Sequence, residues 1–493
     1  MKKHKLFFRA DGSSTTGYGH VMRLLSVASM LNEKYDCIFL TQCPDTFLKT
    51  QIKLVCTKLI ELPAHKNILQ EAKYIADTIL TSQDVIMLDG YNFDTNYQRT
   101  IKKKCFKLVC IDDLFDKHFV ADAIINHSEG INTKKYSIEH YTKLYLGTKY
   151  SILRKSFLGI TPVFNYKNKA HRVFINMGGS DEFNYSLKAL KLALSNSSVK
   201  HIDIVVGSFY KFKTELNNII NKNTHLPIVI HTNVSEADMC NLMQLSTIAI
   251  CSASTVAYEY ASVGGILFLY KTVSNQKNIY SFLLKSNIGY KATNFNTKLI
   301  DFENKENTKL YFKNKVSFFT GKSNINISAI FEQFDKERSI IMRLAIASDS
   351  IIYYQWANEP AVRLNSINQA KIPIEAHESW FSARIKSKNT FLYYFESNKI
   401  ALGQVRLDIQ NNIAEIDYSI DALFRKQGYG ELILQMAINH FLTLHPTIKI
   451  TATVKESNIG SNKIFEKMKF TKTKNKVVND SVYANYNLKI AKQ

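Results

Sequence analysis

The sequence predicts an α/β protein with two successive parallel-sheet halves and a third domain whose sheet is mixed and largely antiparallel. Short β-branched or aromatic runs such as KLFFRA, CIFLTQ and DVIMLDG alternate with helical patterns from the start of the chain. This alternation is typical of βαβ units. A second series of such runs begins near Arg172, and from Ile341 the pattern changes to consecutive strands with short turns, which indicates antiparallel pairing.

The length of the chain also predicts several domains. Its 493 residues exceed what a single hydrophobic core usually supports. We place a first Rossmann-like half at 1–150, a second at 151–336 and the third domain at 339–493. In open parallel sheets, ligands bind beyond the carboxyl ends of the strands, so the two halves are expected to face a cleft.

The charge and hydropathy of the chain indicate which kinds of ligand and which cellular location to expect. The formal net charge is +22, but the lysines are spread along the chain without a basic block or a nucleic-acid module. We therefore expect a polyanionic small substrate rather than nucleic acid. No apolar stretch reaches membrane-spanning length and the start MKKHKLFF lacks a signal-peptide core. These features predict a cytoplasmic protein without a membrane partner, and the sequence identifies no protein partner.

The cysteines and the acidic residues are the candidates for disulfides and for metal sites. The seven cysteines are scattered and form no Cys/His cluster, so we expect reduced, mostly buried thiols without disulfides or structural zinc. Asp112 and Asp113 form an acidic pair that is suited to a metal, and the residues alone leave this alternative open.

The stretch TTGYGHVMRL lies between the first predicted strand and the first helix. Gly17 and Gly19 allow the backbone to pass close to a ligand, and His20 opens the helix. The stretch is either a tight turn with a solvent-facing histidine or a phosphate-facing loop that carries a base. Arg23, one turn further on, either orients this loop or lies on the surface.

Three other stretches resemble ligand loops at strand ends: LDGYNFD, NMGGSDEFN and CSASTVAYE. Glycines and backbone amides at a helix start are suited to phosphate, although a glycine turn or a serine N-cap explains the same letters. The candidate residues in these loops and in the following SNQ are Tyr91, Gly178, Gly179, Ser180, Ser252, Ser254, Glu259 and Asn275.

Taken in order, FRADGSSTTGYGHVMR, LDGYNFD, CIDDLFDKHFVADAIIN, LGTKYSILRKSF, NMGGSD and SASTVAYE…SNQ resemble the UDP-sugar hydrolases of bacterial pseudaminic acid synthesis. These enzymes release UDP from UDP-2,4-diacetamido-2,4,6-trideoxy-β-L-altropyranose and are related to GT-B glycosyltransferases. The resemblance covers about residues 5–330 and implies a GT-B-like pair of Rossmann-type domains that needs no metal.

The resemblance also implies roles for the candidate residues. His20 falls on the family's catalytic base, and a neutral histidine at a helix start is suited to accepting a proton near neutral pH. Tyr91 falls near the attacking water. The glycine loop with Ser180 and the serines Ser252 and Ser254 fall on the UDP phosphates. Glu259 falls on the ribose hydroxyls and Asn275 on the sugar.

A second motif, RKQGYG, follows an apolar strand and opens a helix. It resembles the signature of GNAT acetyltransferases over about residues 340–490, which implies acetyl-CoA as cosubstrate. The residues implied in its binding are Arg425, Gln427, Gly428, Gly430 and Asn458.

The chemistry of this domain is less clear from the sequence. Phe465 stands where many relatives carry a tyrosine that protonates the departing thiolate, and Phe465 has no proton to donate. Tyr418 is another candidate acid. Glu415 either relays the amine proton or is a solvated strand carboxylate.

Together the two resemblances predict a bifunctional enzyme of pseudaminic acid synthesis. It would N-acetylate the 4-amino group of a UDP-amino-sugar and hydrolyse UDP from the acetylated product. The alternative is a GT-B glycosyltransferase fused to an acetyltransferase that acts on another amino sugar or on a protein amine.

Overall fold

The structure is a computed structural model that describes residues 3–13, 17–64, 67–162, 170–179, 181–207, 210–302, 304–478 and 481–488. The chain divides into two compact units, Met1–Phe331 and Glu332–Gln493. Two parallel sheets lie in the first unit, and the second unit has a mixed sheet. The predicted α/β class with a mixed-sheet third domain is therefore confirmed.

The first sheet of unit 1 is parallel, with the strand order β3-β2-β1-β4-β5-β7-β9. A separate short pair, β6 and β8, lies beside it. The strands are β1 (Lys5–Arg9), β2 (Asp36–Gln42), β3 (Lys58–Leu62), β4 (Val85–Asp89), β5 (Lys107–Ile111), β6 (His118–Phe119), β7 (Ala123–Asn126), β8 (Ser137–Ile138) and β9 (Lys143–Leu146). The accompanying helices are α1 (Gly19–Leu31), α2 (Thr46–Val55), α3 (Ile68–Tyr74) and α4 (Thr95–Lys102).

The second sheet of unit 1 repeats this arrangement, with the order β12-β11-β10-β13-β14-β15 and parallel pairing throughout. Its strands are β10 (His171–Asn176), β11 (Val199–Val206), β12 (Ile228–Thr232), β13 (Ile248–Ser252), β14 (Ile266–Tyr270) and β15 (Tyr290–Lys291). Its helices are α5 (Tyr185–Leu194), α6 (Lys213–Ile220), α7 (Glu236–Leu245), α8 (Thr255–Val263), α9 (Lys277–Lys285), α10 (Phe295–Asp301), α11 (Lys305–Phe318) and α12 (Ser323–Ser339).

Burial explains why these segments form parallel strands. Leu6, Phe7 and Phe8 of β1 are at most 2% exposed, as expected for a strand covered by helices on both faces. In α1 the buried positions include Val21, Leu24, Leu25, Ala28 and Leu31, which is the spacing of one helical face. The central strands are therefore enclosed by helices, and their carboxyl ends determine where the residues that follow them begin.

The sheet of unit 2 has the order β16-β17-β18-β19-β20-β23-β21, with β22 paired to β23. All of its pairs are antiparallel except β19 with β20. The strands are β16 (Ile340–Leu344), β17 (Thr390–Ser397), β18 (Ile400–Gln410), β19 (Ile413–Ile420), β20 (Lys449–Lys455), β21 (Phe470–Lys472), β22 (Lys476–Val478) and β23 (Ser481–Leu488). The helices are α13 (Ser350–Asn358), α14 (Pro360–Asn365), α15 (Ile374–Ile385), α16 (Tyr429–Leu444) and α17 (Ile459–Lys467).

The two units are joined within a helix. Helix α12 runs without interruption from Ser323 to Ser339, and the division between the units falls inside it after Phe331, a few residues before the boundary near Lys336 expected from the sequence. Among the described residues, no helix combines the length and apolar character needed to cross a membrane.

Candidate functional site

The residues that follow β1 and β4 meet at one point of the first sheet. The strand order reverses between these two neighbouring strands, and ligands of doubly wound sheets bind at such a switch point. His20 lies in the first turn of α1, directly after the loop from β1, and Asp89 is the last residue of β4. The fold therefore brings together two side chains that are 69 positions apart in the sequence.

His20 and Asp89 form a hydrogen-bonded dyad. The distance between His20 Nδ1 and Asp89 Oδ1 is 2.8 Å, and the Asp89 side chain is 1% exposed whereas that of His20 is 26% exposed. With the proton on Nδ1 donated to Asp89, the lone pair of the imidazole is on Nε2. The dyad can therefore supply an oriented general base.

Arg23 holds the carboxylate of this dyad. Its Nε donates to Asp89 Oδ2 at 2.7 Å, and its Nη2 donates to Asp89 Oδ1 at 2.6 Å. A third bond runs from Nη1 to Asp113 Oδ2 at 3.2 Å. Burial alone would raise the pKa of Asp89, but the charge and hydrogen bonds of Arg23, together with the bond to His20, lower it overall. Of the two roles considered for Arg23, the geometry favours orientation over a surface position.

Tyr91 and Asn275 meet across the two halves of unit 1. The Tyr91 ring packs edge-on against the His20 ring with centroids 4.8 Å apart, and Asn275 Nδ2 donates to the Tyr91 hydroxyl at 3.0 Å. Burial and the charge of Asp113 raise the pKa of Tyr91, so its hydroxyl stays protonated near neutral pH. Gln276, the neighbour of Asn275, instead folds back onto Thr272.

The start of α1 is open toward the same region. Among the described residues no side chain caps this helix, and its first turn carries no acidic residue. Gly17 has a φ of +85°, which favours glycine, and its amide donates to Ser13 O at 2.8 Å. Gly19, the first residue of the helix, has open space where a side chain would begin. Free amides and the helix dipole favour an anion or a polarised oxygen at such a position.

The glycine loop after β10 is only partly available to a ligand. Gly178 has a φ of +94°, and a Cβ on Gly207 would lie 2.0 Å from Gly179 O, so the two loops approach closely. Ser180 lies outside the described residues. Asp181 accepts hydrogen bonds from the first two amides of α5, so these two amides already have a partner.

Helix α8 offers a less obstructed anion site at the second switch point, between β10 and β13. Ser254 occupies its N-cap position, yet its hydroxyl caps no amide and pairs instead with Ser252 Oγ at 3.0 Å. The first turn of α8 has no acidic residue. The alternative that Ser254 is an N-cap side chain therefore does not hold in this structure, and its contact with a ligand stays a prediction.

Glu259 is not an open acceptor in this structure. Its side chain is 3% exposed, and its two oxygens accept from Arg154 Nε at 2.7 Å and Arg154 Nη2 at 2.6 Å. A carboxylate has further lone pairs, so a ribose contact there would share Glu259 with Arg154. The sequence analysis predicted a contact between Glu259 and the ribose but did not predict the ion pair with Arg154.

The acidic pair after β5 has structural partners. Asp112 accepts from the backbone amides of Leu114 and Phe115, whereas Asp113 pairs with Arg23. Within the described ranges no group of three or more His, Cys, Asp or Glu side chains is arranged to hold a metal ion.

In unit 2 the sheet opens between β19 and β20. These parallel strands pair only from Ile413 to Glu415 and from Lys449 to Thr451, after which they diverge. Glu415 lies at the last paired position, is exposed, and accepts from Thr453 Oγ1 at 3.0 Å. The divergence leaves backbone groups of two central strands without strand partners, and an extended ligand that enters the gap can satisfy them.

The RKQGYG motif forms the start of α16 beside this gap. Gly428 is the N-cap residue, with a φ of +86°, and no side chain of the described residues caps the helix. A Cβ on Gly428 would have no atom within 4 Å, whereas a Cβ on Gly430 would lie 3.0 Å from Ile464 Cδ1. Gly428 thus leaves room for a ligand phosphate at free amides, and Gly430 allows α16 and α17 to pack closely.

The other three cofactor candidates have partners within the protein. Arg425 forms a double contact with the carboxylate of Glu359, and its Nε donates to Ile420 O at 2.9 Å. Gln427 is exposed and donates to Leu423 O at 2.8 Å. Asn458 caps α17 by accepting from the Ser461 amide at 3.2 Å. These contacts brace the motif and its surroundings.

The two aromatic residues considered for the general acid have different surroundings. Phe465 is 2% exposed and packs against Phe470 and Tyr486, so it belongs to the core. The Tyr418 hydroxyl on β19 lies 3.0 Å from Ser461 Oγ on α17, and burial raises the pKa of Tyr418 to about 12. Tyr418 is therefore protonated near neutral pH and can donate.

Two residues of these sites were missed from the sequence. Asp89 lies in the quoted LDGYNFD stretch, and an aspartate at the end of a buried strand was a usable signal. Arg154 lies in the quoted LGTKYSILRKSF stretch, but nothing local indicates its pairing with Glu259, which is 105 positions away.

Both parts of the chain are similar to known proteins. Residues 339–471 match the acetyltransferase (GNAT) domain family. The UDP-2,4-diacetamido-2,4,6-trideoxy-beta-L-altropyranose hydrolase of Campylobacter jejuni is 24% identical over 294 residues, which cover 58% of this chain and 98% of the hydrolase. The N-terminal region is thus homologous to this hydrolase, and a GNAT domain follows it in the same chain.

Two further relatives are similar over different lengths. The uncharacterized protein MJ1062 of Methanocaldococcus jannaschii is 28% identical over 499 residues, which cover 97% of this chain and 99% of that protein. The spore coat polysaccharide biosynthesis protein SpsG of Bacillus subtilis is 26% identical over 272 residues, which cover 54% of this chain and 77% of that protein. The combination of both regions in one chain therefore extends over the whole length of the archaeal relative.

Proposed function

We propose that the chain catalyses two consecutive steps of pseudaminic acid synthesis. Unit 2 transfers an acetyl group to the 4-amino group of a UDP-amino-sugar. Unit 1, with two Rossmann-type halves in a GT-B-like arrangement, then hydrolyses UDP from UDP-2,4-diacetamido-2,4,6-trideoxy-β-L-altropyranose. The observation that carries the proposal is the His20–Asp89 dyad beside the uncapped start of α1, in a region homologous to a hydrolase of this sugar nucleotide.

The hydrolysis needs one base and a bound leaving group. Water attacks C1 of the sugar, its proton passes to His20 Nε2, and the bond between C1 and the UDP oxygen breaks with the electron pair on UDP. Asp89 stabilises the imidazolium that forms, because its Oδ1 accepts a hydrogen bond from Nδ1–H at 2.8 Å. Tyr91, held by Asn275, positions the water next to the His20 ring.

The start of α8 is suited to the UDP phosphates. No side chain of the described residues caps this helix, and the hydroxyls of Ser252 and Ser254 pair with each other just before it, which is an arrangement that favours a phosphate. The Gly178–Gly179 backbone lies at the neighbouring strand end. Glu259, which Arg154 holds in place by two hydrogen bonds, accepts from the ribose hydroxyls.

The residues of unit 2 fit acetyl-CoA, which supplies the acetyl group and leaves as the thiol. The free amides at Gly428 receive the pyrophosphate, and the gap between β19 and β20 accepts the extended arm. Glu415 at the gap accepts the amine proton through a water. Tyr418 donates its proton to the sulfur and so fills the role that Phe465 cannot. Because acetyl-CoA and UDP-sugars are cytoplasmic metabolites, we place the protein in the cytoplasm.

The proposal is tested with the full chain and the UDP-4-amino-altrose derivative, with or without acetyl-CoA, by following products by mass and NMR. We expect an acetylated UDP-sugar and then free sugar and UDP, only when acetyl-CoA is present. His20→Asn should accumulate the acetylated UDP-sugar, and Gly428→Val should leave the substrate unchanged but still hydrolyse pre-acetylated substrate. UDP release that depends on an added acceptor sugar would indicate a glycosyltransferase and contradict the proposal.

A further inference from the structure

The helix that joins the two units supplies a side chain to the RKQGYG motif. Lys336 lies in the part of α12 that follows the division after Phe331 and so belongs to unit 2. Its Nζ donates to Gln427 O at 3.2 Å and lies 6.0 Å from the centroid of the Tyr429 ring. A cation from outside the motif therefore contacts the peptide group immediately before Gly428.

This contact bears on the direction of the Gly428 amide. The Gln427 carbonyl and the Gly428 N–H belong to one peptide group, and in a trans peptide these two groups point in opposite directions. With the carbonyl bound to Lys336, the N–H is therefore directed away from the lysine. A hydrogen bond to the carbonyl also polarises the peptide group, so the Gly428 amide becomes a stronger donor.

The other cations beside this helix start already have carboxylate partners. Arg425 makes its double contact with Glu359, and Lys467 pairs with Glu431 of the first turn of α16 at 2.5 Å. Lys336 is exposed, and within the described part of the chain its charge has no carboxylate partner. An ammonium group has three N–H donors, so the bond to Gln427 O leaves its positive charge available to a nearby anion.

We propose that Lys336 is a positioning residue of the acetyl-CoA site, which fixes the Gln427–Gly428 peptide so that the Gly428 amide donates to the pyrophosphate. The inference rests on the proposed function in one respect, the binding of the pyrophosphate at the start of α16. It extends the cofactor site into the joining helix, before residues 339–471 that match the GNAT family.

The test compares two coenzymes by calorimetric titration of the full chain. CoA and 3′-dephospho-CoA both carry the pyrophosphate, and they differ in the 3′-phosphate. Lys336→Met removes the donor and the charge but keeps an unbranched side chain of similar helix propensity. It should weaken the binding of both coenzymes by the same factor, about three- to tenfold, as expected for the loss of one hydrogen bond. Lys336→Arg keeps a donor and the charge and should bind both like the parent.

Lys388→Met is the matched control for the loss of one exposed positive charge. Lys388 is exposed and precedes the Thr390 end of β17, whereas Ser397 at the other end of this strand contacts Ser339 of α12 at 3.0 Å. Its coenzyme affinities should equal those of the parent. Because Lys336 and Lys388 are both exposed, the Tm of each variant should also be unchanged. If Lys336→Met does not fold, Lys336→Gln takes its place.

Two results would overturn the inference. One is a folded Lys336 variant that binds both coenzymes with the affinity of the parent. The other is a loss confined to CoA, which would show that the ammonium binds the 3′-phosphate and does not act through the Gly428 amide. In both cases the parent still binds acetyl-CoA, so the proposed function stands. A parent chain that binds neither coenzyme would instead refute the acetyl-CoA site itself.

Discussion

Replacing Gly428 by valine is expected to weaken acetyl-CoA binding by about 60-fold or more. Gly428 has a φ of +86° and a ψ of 0°, and an L-residue in this region costs about 1–2 kcal/mol. The free chain would relax away from this conformation and would have to return to it on binding. No protein atom lies within 4 Å of the added Cβ, so the branched side chain occupies space in front of the α16 amides. Losing one charge-assisted hydrogen bond there costs about 1.5–3 kcal/mol more. The sum is about 2.5–5 kcal/mol, which corresponds to a loss of affinity of about 60-fold or more at 1.4 kcal/mol per tenfold.

Calorimetric titration of the full chain with acetyl-CoA measures this loss, and two further glycine variants separate its parts. Gly428→Ala carries mainly the backbone strain and should weaken binding by about 10-fold, in line with a 1–2 kcal/mol cost. Gly460→Ala is the matched control, because its Cβ would only contact Asn458 Oδ1 at an ordinary 3.8 Å, so its affinity should equal that of the parent. If folded Gly428→Val binds acetyl-CoA within twofold of the parent, α16 does not receive the pyrophosphate.

Three further predictions concern unit 1. Glu259→Gln should weaken UDP binding by about 10-fold or more, because the ribose hydroxyls lose a charged acceptor. As a control, a 2′,3′-dideoxy analogue of UDP should bind the variant and the parent with equal affinity. If calorimetry gives equal UDP affinities for the variant and the parent, the ribose binds elsewhere. Alkylation of the native chain with iodoacetamide should add one group, at the exposed Cys43. The other six thiols are buried, and burial raises their pKa. Additional adducts in the intact mass of the protein would show that these thiols are accessible and would contradict the prediction. Burial would raise the pKa of Asp203, but hydrogen bonds from Arg172 and His231 lower it overall. The ionised Asp203 therefore stabilises the folded protein above its pKa in the unfolded chain, which is about 3.9. This stabilisation is lost as the pH falls through the lower pKa of the folded protein. The difference in Tm between the parent and Asp203→Asn should therefore shrink below about pH 4, and a difference that is constant with pH would refute this linkage.

Local patterns were sufficient for the coarse fold and for the two homologies, but not for the contacts that give the site its chemistry. The alternation of strands and helices and the RKQGYG motif are encoded within short segments, and the α/β class and the GNAT domain predicted from them are confirmed. The pairing of His20 with Asp89 depends on β1 and β4 being neighbours, which no short segment specifies. The roles of the individual site residues remain predictions.

For Arg425 the sequence predicted a contact, but the structure shows a different partner. Its position in the motif suggested a cofactor contact, whereas the structure pairs it with Glu359, 66 positions earlier. An ion pair between distant segments leaves no periodic or compositional signal. The opening between β19 and β20 is similarly invisible in the sequence, because it follows from where the pairing of two strands stops.

Hydrolysis of the diacetamido UDP-sugar in ¹⁸O-labelled water tests the central claim most directly. If water attacks C1 with His20 as the base, ¹⁸O should appear at C1 of the free sugar and be absent from UDP, and His20→Asn should release UDP about 10²–10⁴-fold more slowly with unchanged Tm. Both products are read by mass spectrometry. Label in the β-phosphate of UDP, or release at the parent rate by His20→Asn, would contradict the account.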